Sequence, residues 1–360
     1  MTPRVLVARL DSDGEVLLAG PAVRAAAASG EVVLMCGPRG RQAADLLPGV
    51  ARVLEWPCPW IVPHPAPVRP HDMTAVVARL AELRPHVALV LTSSHQSPLP
   101  LALMLRMAGV PRVAAICAEY AGSLLDVRLR PDIDLGDELS EPERALAVAE
   151  AAGFHLPEGD DGSLAVRPPA DAAALTGLGG YVVVHPGASV PARAWSPARC
   201  AALVAELSRR GRRVVVTGGP GERALTSWVA GPHGRDLGGR TTFEQLAGVL
   251  AGADAVVVGN TGPAHLAAAV GTPVVSLFAP AAPACHRDLH RLPHALLGDQ
   301  HVPCRGDRAR ACPVPGRPCL SSATPAEAAT AVESLVGCAH DTGATALVRN
   351  WDQLSTEVTR

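Results

Sequence analysis

The sequence predicts an α/β protein of two Rossmann-like domains, each a doubly wound parallel sheet, that face each other across a cleft. Buried strand patterns alternate with helical patterns along most of the 360 residues, which is typical of parallel sheets. The alternation stops in a Gly-, Pro- and Asp-rich stretch at 157–179 and then restarts. A chain of this length can form two domains with separate cores.

The predicted first domain spans residues 1–165. It opens with a strand at Arg4–Ala8, a turn at Asp11–Gly14 and an amphipathic helix from about Glu15 to Ala28. Two stretches without periodicity, Trp56–Pro70 and Asp126–Leu139, are predicted loops. The remaining predicted elements are strands Val32–Met35, Arg52–Leu54, Val87–Leu91 and Val113–Cys117, and helices Arg41–Leu46, Met73–Leu83, Leu99–Ala108 and Glu141–Ala152.

The predicted second domain spans residues 175–336. Two Thr-x-x-Glu patterns, at 241–244 and 324–327, predict capping boxes that open helices. In the tail, 337–360, the apolar spacing of Thr345–Val358 fits a helix that crosses back to the first domain, or a frayed end. The other predicted elements of the second domain are strands Tyr181–His185, Arg213–Thr217, Ala255–Val258 and Val274–Phe278, and a helix from Ser196-Pro197 to Gly211.

Composition excludes several classes of protein. A formal net charge of −2 disfavours nucleic-acid binding, which needs a basic excess. The N-terminal segment, interrupted by Arg9 and Asp11, fits neither a signal peptide nor a membrane span. Nine cysteines in a long chain favour a reducing cytoplasm. All 32 basic residues are Arg, so any role usual for Lys falls to Arg or His.

Three carboxylates follow the first predicted strand: Asp11, Asp13 and Glu15. Strand ends of a parallel sheet are where ligands bind. A carboxylate there can take the proton of an attacking hydroxyl as a general base. Alternatively, Ser12 or Asp13 caps the helix and Glu15 stabilises its dipole.

A second polar group follows strand Tyr181–His185. The run His-Pro-Gly-Ala-Ser at 185–189 precedes Arg-Ala-Trp-Ser-Pro at 193–197. Ser189 and Arg193 are candidate phosphate ligands, since a guanidinium binds phosphate oxygens in a bidentate fork. The alternative is a surface loop in which Arg193 stacks on Trp195.

The third polar group is the turn Asn260-Thr261-Gly262 between a buried strand and an Ala-rich helix. A helix that begins there points its free N–H groups and its dipole at an anion. Pro263 suits the first helical position, where a missing N–H costs least. His265 is either a ligand or a helix-packing residue, and the whole segment also fits an ordinary strand–turn–helix unit.

The combined motifs identify a family. Asp-Ser-x-Gly-Glu-Val from residue 11, the two runs at 185–197, Val-Thr-Gly-Gly-Pro-Gly-Glu at 216–222 and Gly-Asn-Thr-Gly-Pro-Ala-His from residue 259 resemble the family 9 glycosyltransferases. That family includes ADP-heptose:lipopolysaccharide heptosyltransferases. The resemblance covers roughly Arg4–Val336. It implies a GT-B fold, an acceptor on the N-terminal domain, a nucleotide sugar on the C-terminal one, and inverting, metal-independent transfer without a cofactor.

The resemblance also assigns residues. The family's catalytic Asp falls on Glu15, its phosphate-contacting Lys on Arg193, its ribose-binding acid on Glu244 and its helix His on His265. Its Asp-Thr-Gly, which meets the donor sugar and diphosphate, falls on 260–262. Position 15 carries Glu where the family has Asp, which moves the carboxylate out by about one methylene. Asp13 and Asp11 are therefore alternative candidates for the catalytic base. Asn260 for Asp removes a charge, which leaves the sugar unassigned although an ADP-sugar is favoured.

Further expectations concern the partners. Two polar loops are expected to hold a saccharide or glycoconjugate acceptor: one carries His95 and Gln96, and the other carries Glu119. Both segments also fit loops without a binding role. The protein is expected to be a cytoplasmic monomer without transmembrane segments, with peripheral membrane contact left open. The alternative functions are a non-catalytic nucleotide-sugar-binding protein and a nucleotide-sugar 2-epimerase.

Three cysteines late in the chain need a separate reading. Cys304, Cys312 and Cys319 have seven and six residues between them, whereas closed zinc sites usually show Cys-x2-Cys pairs. We therefore expect buried thiols or one disulfide in a Pro-rich loop, and no metal.

Overall fold

The computed structural model describes residues 2–136, 139–277, 292–304 and 311–341. The chain divides into two compact units, Met1–Arg167 and Pro168–Arg360. The predicted limits are residue 165 for the first domain and residue 175 for the second. The predicted tail segment Thr345–Val358 lies outside the described residues. Within the described part of the chain, no helix has the length and apolar character needed to cross a bilayer.

The first unit is one six-stranded parallel sheet with strand order β3-β2-β1-β4-β5-β6. Chain order reverses beside β1, so a crevice opens where β1 and β4 end. The strands are β1 Arg4–Arg9, β2 Glu31–Cys36, β3 Val50–Glu55, β4 Val87–Val90, β5 Arg112–Ile116 and β6 Val127–Leu129; the helices are α1 Asp13–Leu18, α2 Gly20–Ala27, α3 Arg41–Leu46, α4 Pro70–Leu83, α5 Leu99–Met107 and α6 Glu141–Ala151.

The second unit repeats this design in strand order β12-β11-β10-β7-β8-β9, again all parallel. Its reversal lies between β7 and β10. The strands are β7 Tyr181–His185, β8 Arg213–Val216, β9 Arg235–Asp236, β10 Ala255–Gly259, β11 Val274–Leu277 and β12 His294–Leu297; the helices are α7 Ala173–Thr176, α8 Pro197–Arg209, α9 Arg223–Ala230, α10 Phe243–Ala251, α11 Gly262–Ala269, α12 Pro318–Ser321 and α13 Pro325–Asp341.

The predicted fold class, two doubly wound parallel sheets, is confirmed. The central strands are continuous apolar runs; Val5–Val7, for example, is fully buried. Such runs are typical of strands covered by helices on both faces. Each unit has its own buried cluster, which includes Leu80 and Leu105 in the first and Leu203 and Leu207 in the second.

Several predicted elements were wrong in detail. The helix expected from Glu15 to Ala28 is two helices that meet at Ala19, because Pro21 lacks an N–H and clashes with the preceding turn. The acidic loop after Asp126 contains edge strand β6, whose three residues pair with β5. Edge strands β9 and β12 were not predicted, since two to four residues carry little periodicity.

The two capping boxes came out differently. The box at Thr324 is confirmed: Thr324 Oγ1 accepts from the N–H of Glu327, whose carboxylate accepts from the N–H of Thr324. The other lies one residue later than predicted, with Thr242 and Gln245 as the reciprocal pair. Glu244 is therefore not a cap residue.

Candidate functional site

A pocket lies at the end of β1 in the first unit. Asp11, Ser12 and Glu15 line it together with Arg39 from the turn after β2. Ser12 Oγ donates a hydrogen bond to Glu15 Oε2, which fixes one carboxylate oxygen. Arg39 is exposed, and the three other residues are half-buried. The pocket therefore combines two carboxylates with one guanidinium at the strand ends where ligands are expected.

Asp11 is held by a buried ion cluster. The Arg9 side chain is 4% exposed, and its Nε lies 3.1 Å from Asp11 Oδ2. Arg9 Nη2 also donates to Ser93 Oγ at 2.9 Å and to Glu141 Oε2 at 3.1 Å. Gln96 Nε2 donates to Asp11 Oδ1 at 2.5 Å. A buried guanidinium needs such partners, so Arg9 and Gln96 fix Asp11 in place.

Asp13 has a different environment from Glu15. It is absent from the residues that line the pocket, and its Oδ1 accepts from the N–H of Ala43 at 3.1 Å, in the first turn of α3. Burial raises the pKa of Asp13 to about 6, opposed by the Ala43 N–H and by Arg39. The geometry thus gives Asp13 a structural contact that joins α1 to α3 and leaves Glu15 and Asp11 at the pocket.

The residues expected to bind an acceptor lie beside this pocket with different contacts. Gln96 binds Asp11, and Glu119 accepts from Ser97 Oγ at 2.6 Å. His95 is exposed and lines neither the Glu15 pocket nor the pocket that contains Trp60. The second pocket is lined by Gln96, Ser97 and Trp60 among others. Trp60 was not expected from the sequence to have a role.

A pocket in the second unit joins the loop after β7 to the end of β10. His185, Arg193, Trp195 and Gly259 are among its lining residues. A side-chain carbon on Gly259 would lie 3.1 Å from the carbonyl oxygen of Arg193, so this glycine permits the close approach. Trp195 is buried and donates its Nε1–H to the carbonyl of Leu320. Trp195 therefore anchors the loop that carries Arg193.

His185 is a buried neutral imidazole at the end of β7. Its Nδ1 lies 2.9 Å from Thr217 Oγ1. Burial lowers the pKa of His185, and the charge of Glu222 opposes this effect. An uncharged His185 therefore links the loop after β7 to the loop after β8.

Glu222 lies next to this pocket, and sequence reasoning gave it no role. A side-chain carbon on Gly187 would lie 2.0 Å from Glu222 Oε1, so the carboxylate packs directly on the backbone at Gly187. Its Oε2 accepts from the N–H of Gly219 at 2.7 Å. The sequence contains a pattern that could have indicated Glu222, because the Gly-Gly-Pro-Gly turn at 218–221 follows a buried strand. The acid that follows this turn was nevertheless assigned no role.

The start of α11 presents backbone donors at the end of β10. Thr261 is the N-cap, and its Oγ1 lies 3.5 Å from the carbonyl oxygen of Gly259. Pro263 has no N–H, so the donors that open this helix are those of Thr261 and Gly262. Asn260 is half-buried beside them, and His265, also half-buried, is the fourth residue of α11.

Of the eight predicted donor residues, Arg193 lines this pocket, whereas residues 260–263, His265, Ser189 and Glu244 are not among its lining residues. Glu244 is exposed in the first turn of α10, and Ser189 is exposed in the loop after β7. Neither lines the pocket that contains Arg193. Glu222, rather than Glu244, is the acid packed against that pocket.

The three late cysteines are free thiols, as are the other cysteines in the part of the chain that the structure describes. Cys319 is buried, and Cys304 packs against the same core. Burial raises the pKa of the Cys319 thiol. Among the described residues, no group of three His, Cys, Asp or Glu has an arrangement that could hold a metal ion.

Comparison with known proteins gives a family. Residues 81–314 match the model of glycosyltransferase family 9 (heptosyltransferase). Lipopolysaccharide heptosyltransferase 3 of Escherichia coli is 34% identical over 104 residues, which are 27% of this chain and 31% of that protein. The match therefore spans about a third of this relative. Glu15 lies before the matched residues of the family model.

Solved structures share the fold. ADP-heptose lipopolysaccharide heptosyltransferase II of E. coli aligns over 94% of this chain and 99% of its own, with a TM-score of 0.71 and 20% identity. A family 9 glycosyltransferase of Veillonella parvula DSM 2008 aligns over 93% and 97%, with a TM-score of 0.72 and 16% identity. The iron-containing dodecameric glycosyltransferase TibC of enterotoxigenic E. coli H10407 aligns over 94% and 77%, with a TM-score of 0.56 and 13% identity.

Proposed function

Because the chain belongs to glycosyltransferase family 9, we propose that it transfers a sugar from a nucleoside diphosphate sugar to a hydroxyl of a saccharide or glycoconjugate. The observation that carries the proposal is the position of Glu15, a carboxylate that lines a pocket at the end of β1. The first unit then holds the acceptor and the second holds the donor.

Glu15 acts as the general base. Ser12 donates to one carboxylate oxygen and so orients the Glu15 side chain at the pocket, where it meets the acceptor hydroxyl. As the hydroxyl oxygen attacks the anomeric carbon, its proton passes to Glu15, and the bond from that carbon to the diphosphate oxygen breaks. Attack opposite the leaving group inverts the anomeric configuration. Asp11, fixed by Arg9 and Gln96, binds a second hydroxyl of the acceptor.

The second unit stabilises the leaving nucleoside diphosphate. Arg193 supplies a guanidinium, and Thr261 and Gly262 supply N–H groups at the positive end of α11. Stabilising the charge that develops on a leaving group is usually the largest catalytic contribution. Glu222 or Glu244 binds a ribose hydroxyl, and Glu222 is favoured because it packs against the pocket residue Gly187.

The finer details of the donor also belong to this proposal. An ADP-sugar is the favoured donor, and heptose is a candidate because a similar solved structure is named an ADP-heptose heptosyltransferase. Asn260 makes an amide, instead of a carboxylate, the sugar-contacting group. We propose metal-independent transfer by a cytoplasmic monomer without a cofactor, although the similar TibC is named iron-containing and dodecameric.

A donor panel tests the proposal. Purified protein is screened by thermal shift against ADP-, UDP-, GDP- and dTDP-sugars, first as purified and then after chelator treatment. We expect one nucleotide class to raise the unfolding temperature, and an ADP-sugar to raise it most. Incubation with saccharide acceptors should then release nucleoside diphosphate and leave a glycosylated product.

The same assay separates the alternatives. Binding without transfer or hydrolysis would favour a nucleotide-sugar-binding protein, and an isomerised sugar would favour a 2-epimerase. Loss of turnover on chelation, restored by a metal, would contradict the metal-independent mechanism. A product with retained anomeric configuration would contradict direct displacement.

A further inference from the structure

We propose that Arg317 is a positioning residue for the anion site of the second unit: it holds the turn that carries Arg193 and thereby fixes where that guanidinium meets the diphosphate. The inference rests on the proposed function, in which Arg193 binds the leaving nucleoside diphosphate. Arg317 is not among the lining residues of the pocket that contains Arg193. It therefore acts through the backbone of the turn and not by touching the substrate.

Arg193 ends a short 3-10 turn, Pro191–Arg193, in the loop after β7. Its N–H donates to the carbonyl of Val190 at 2.9 Å, and the carbonyl of Pro191 accepts from the N–H of Ala194 at 3.3 Å. The hydrogen bonds of 3-10 turns have poorer geometry than those of α-helices. The position of this turn therefore depends on what else holds it.

Three side-chain hydrogen bonds join the stretch 191–199 to the segment 317–323. They run from Arg317 Nη1 to the carbonyl of Pro191 at 3.1 Å, from Trp195 Nε1 to that of Leu320 at 3.1 Å, and from Arg199 Nη1 to that of Ala323. The partners follow the same order in both stretches, so the two stretches run side by side. Arg193 lies between the first and the second of these contacts, which hold it from both sides.

The two contacts that flank Arg193 differ in burial. Trp195 is 4% exposed and belongs to the core of the second unit, so its contact forms as part of the fold. Arg317 is exposed, and its charged donor strengthens a hydrogen bond that lies at the surface. Arg317 can therefore be replaced without a cavity in the core, and the turn should be the part that responds.

The backbone of Arg317 adopts a conformation that a side chain disfavours. Its φ of 49° and ψ of 59° are left-handed, although a residue that precedes a helix is ordinarily extended. Among the described residues, every other positive φ except that of Arg84 belongs to a glycine. A strained residue that is not glycine points to a function for its side chain, and the hydrogen bond to Pro191 supplies one.

A fixed turn matters because binding costs free energy for each side chain that it must immobilise. A cation that is already in place also stabilises the developing charge without reorganisation during the reaction. Loosening the turn should therefore weaken diphosphate binding and slow turnover. The KM of the acceptor should stay the same, because in the proposed function the acceptor binds the first unit.

The test compares the full-length variants R317G, R317K and R84G. The probe is the diphosphate among ADP, UDP, GDP and dTDP that raises the wild-type unfolding temperature most. We expect R317G to raise its dissociation constant, measured by calorimetry, about fivefold. Release of that diphosphate from the matching nucleotide sugar should slow about tenfold. R317K keeps a donor for the carbonyl of Pro191 and should restore most of both.

R84G is the matched control. Arg84 has the same left-handed backbone, with a φ of 47°, and ends α4 just before β4 begins. It therefore lies at the edge of the first sheet opposite the strand ends that form the Glu15 pocket. Replacing it by glycine gives the same backbone relief, and we expect no change in affinity or turnover.

Two readouts separate positioning from a role in stability. Glycine suits the left-handed backbone, so the unfolding midpoint of R317G should stay within about 2 °C of wild type. In the R193Q background, R317G should cause no further loss, because the two residues act as one unit. R317Q keeps a side chain but removes the charge, and it should reproduce the loss if R317G does not fold.

Three outcomes overturn the inference. The first is wild-type affinity and turnover in both R317G and R317Q. The second is a further loss in R317G/R193Q as large as the loss in R317G alone. The third is a lowered unfolding midpoint of R317G with normal affinity in the cold, which would make Arg317 a stabilising residue only. A wild type that binds none of the four diphosphates contradicts the proposed function itself.

Discussion

The ends of β1 and of β7 occupy equivalent positions in two sheets of the same strand order, yet their side chains differ. Around β1 three carboxylates, Asp11, Asp13 and Glu15, outnumber the guanidinium groups of Arg9 and Arg39. Around β7 and β10 the side chains are a guanidinium, Arg193, and a neutral imidazole, His185, beside the N-terminus of α11. In our proposal, one topology therefore carries a proton acceptor in the first unit and an anion site in the second.

The difference shows how little of the chemistry the fold determines. In each sheet the reversal of strand order supplies a crevice, and a few loop residues decide what it binds. The two sites also balance charge differently. Asp11 has the buried Arg9 as its counter-ion, whereas Arg193 is paired with no carboxylate among the ion pairs of the described residues. Its counter-ion in our proposal is the substrate.

The largest expected effect comes from removing the base. E15Q keeps the size of the side chain but cannot accept the proton, so kcat should fall by about 100- to 10,000-fold. Affinity for the nucleotide, measured by calorimetry, should stay the same because the donor binds the second unit. D13N is the matched control, since Asp13 bonds to Ala43 instead of lining the pocket. Full activity in E15Q with loss in D13N would move the role to Asp13; loss in D11N alone would move it to Asp11.

The anion site should be next in magnitude. R193Q removes the charge while retaining a hydrogen-bonding group, and we expect kcat to fall about 100-fold because the leaving diphosphate loses its stabilising cation. ADP binding should also weaken and lose part of its salt dependence. R209Q, on the exposed end of α8 where Arg209 pairs with Glu206, provides the control. Equal kinetics of R193Q and wild type would remove Arg193 from the mechanism.

A smaller effect should decide which acid binds the nucleoside. If Glu222 accepts from a ribose hydroxyl, E222Q should raise the dissociation constant for ADP about tenfold, while E244Q changes it less than about twofold. Calorimetric titration of both variants measures this directly. The reverse order would restore the assignment to Glu244 and leave Glu222 with its bond to Gly219.

The smallest effect concerns stability and pH. Burial raises the pKa of Asp13 to about 6, so the folded protein keeps this proton over a pH range in which the unfolded chain has lost it. The contribution of Asp13 to stability therefore falls as pH rises from about 4 to 6, and stays low above that. D13N retains an oxygen for Ala43 and carries no charge. It should stabilise the first unit by about 1–3 kcal/mol at pH 7.5.

Urea unfolding at pH 4.5 and 7.5 checks this prediction. The gain in midpoint for D13N should be larger at pH 7.5 than at pH 4.5. D13A, which also loses the bond to Ala43, should gain less than D13N. Equal gains at both pH values would mean that the Asp13 carboxyl titrates normally.

Sequence patterns predicted the central strands well and the edges poorly. Tyr181–His185 was predicted with its observed limits because four apolar residues followed by His185 are bounded by glycines and Pro186. Strand β9 has two residues, and its pairing with β8 is a tertiary fact that no local pattern contains. The break between α1 and α2 was readable, since Pro21 sits inside the helical pattern.

The candidate site divides in the same way. Glu15 and Arg193 follow strands, and the structure places both in pockets. Arg39 was missed because its pocket joins the turns after two different strands. Glu244 was assigned to the donor site from its position in the sequence motif. The helix that carries it begins one residue later than predicted, with Thr242 as its N-cap. Trp60 was missed because a Pro-rich loop carries no period, and the burial of Trp56 and Cys58 that fixes it is visible in three dimensions alone.

The contact between Gly187 and Glu222 couples two positions that are far apart in the sequence. A side-chain carbon at residue 187 would meet the Glu222 carboxylate, which is the end of a flexible side chain. An alanine at 187 would therefore push that carboxylate off the N–H of Gly219. We expect these two positions to covary among related chains, and G187A to be rescued, at least in part, by E222D.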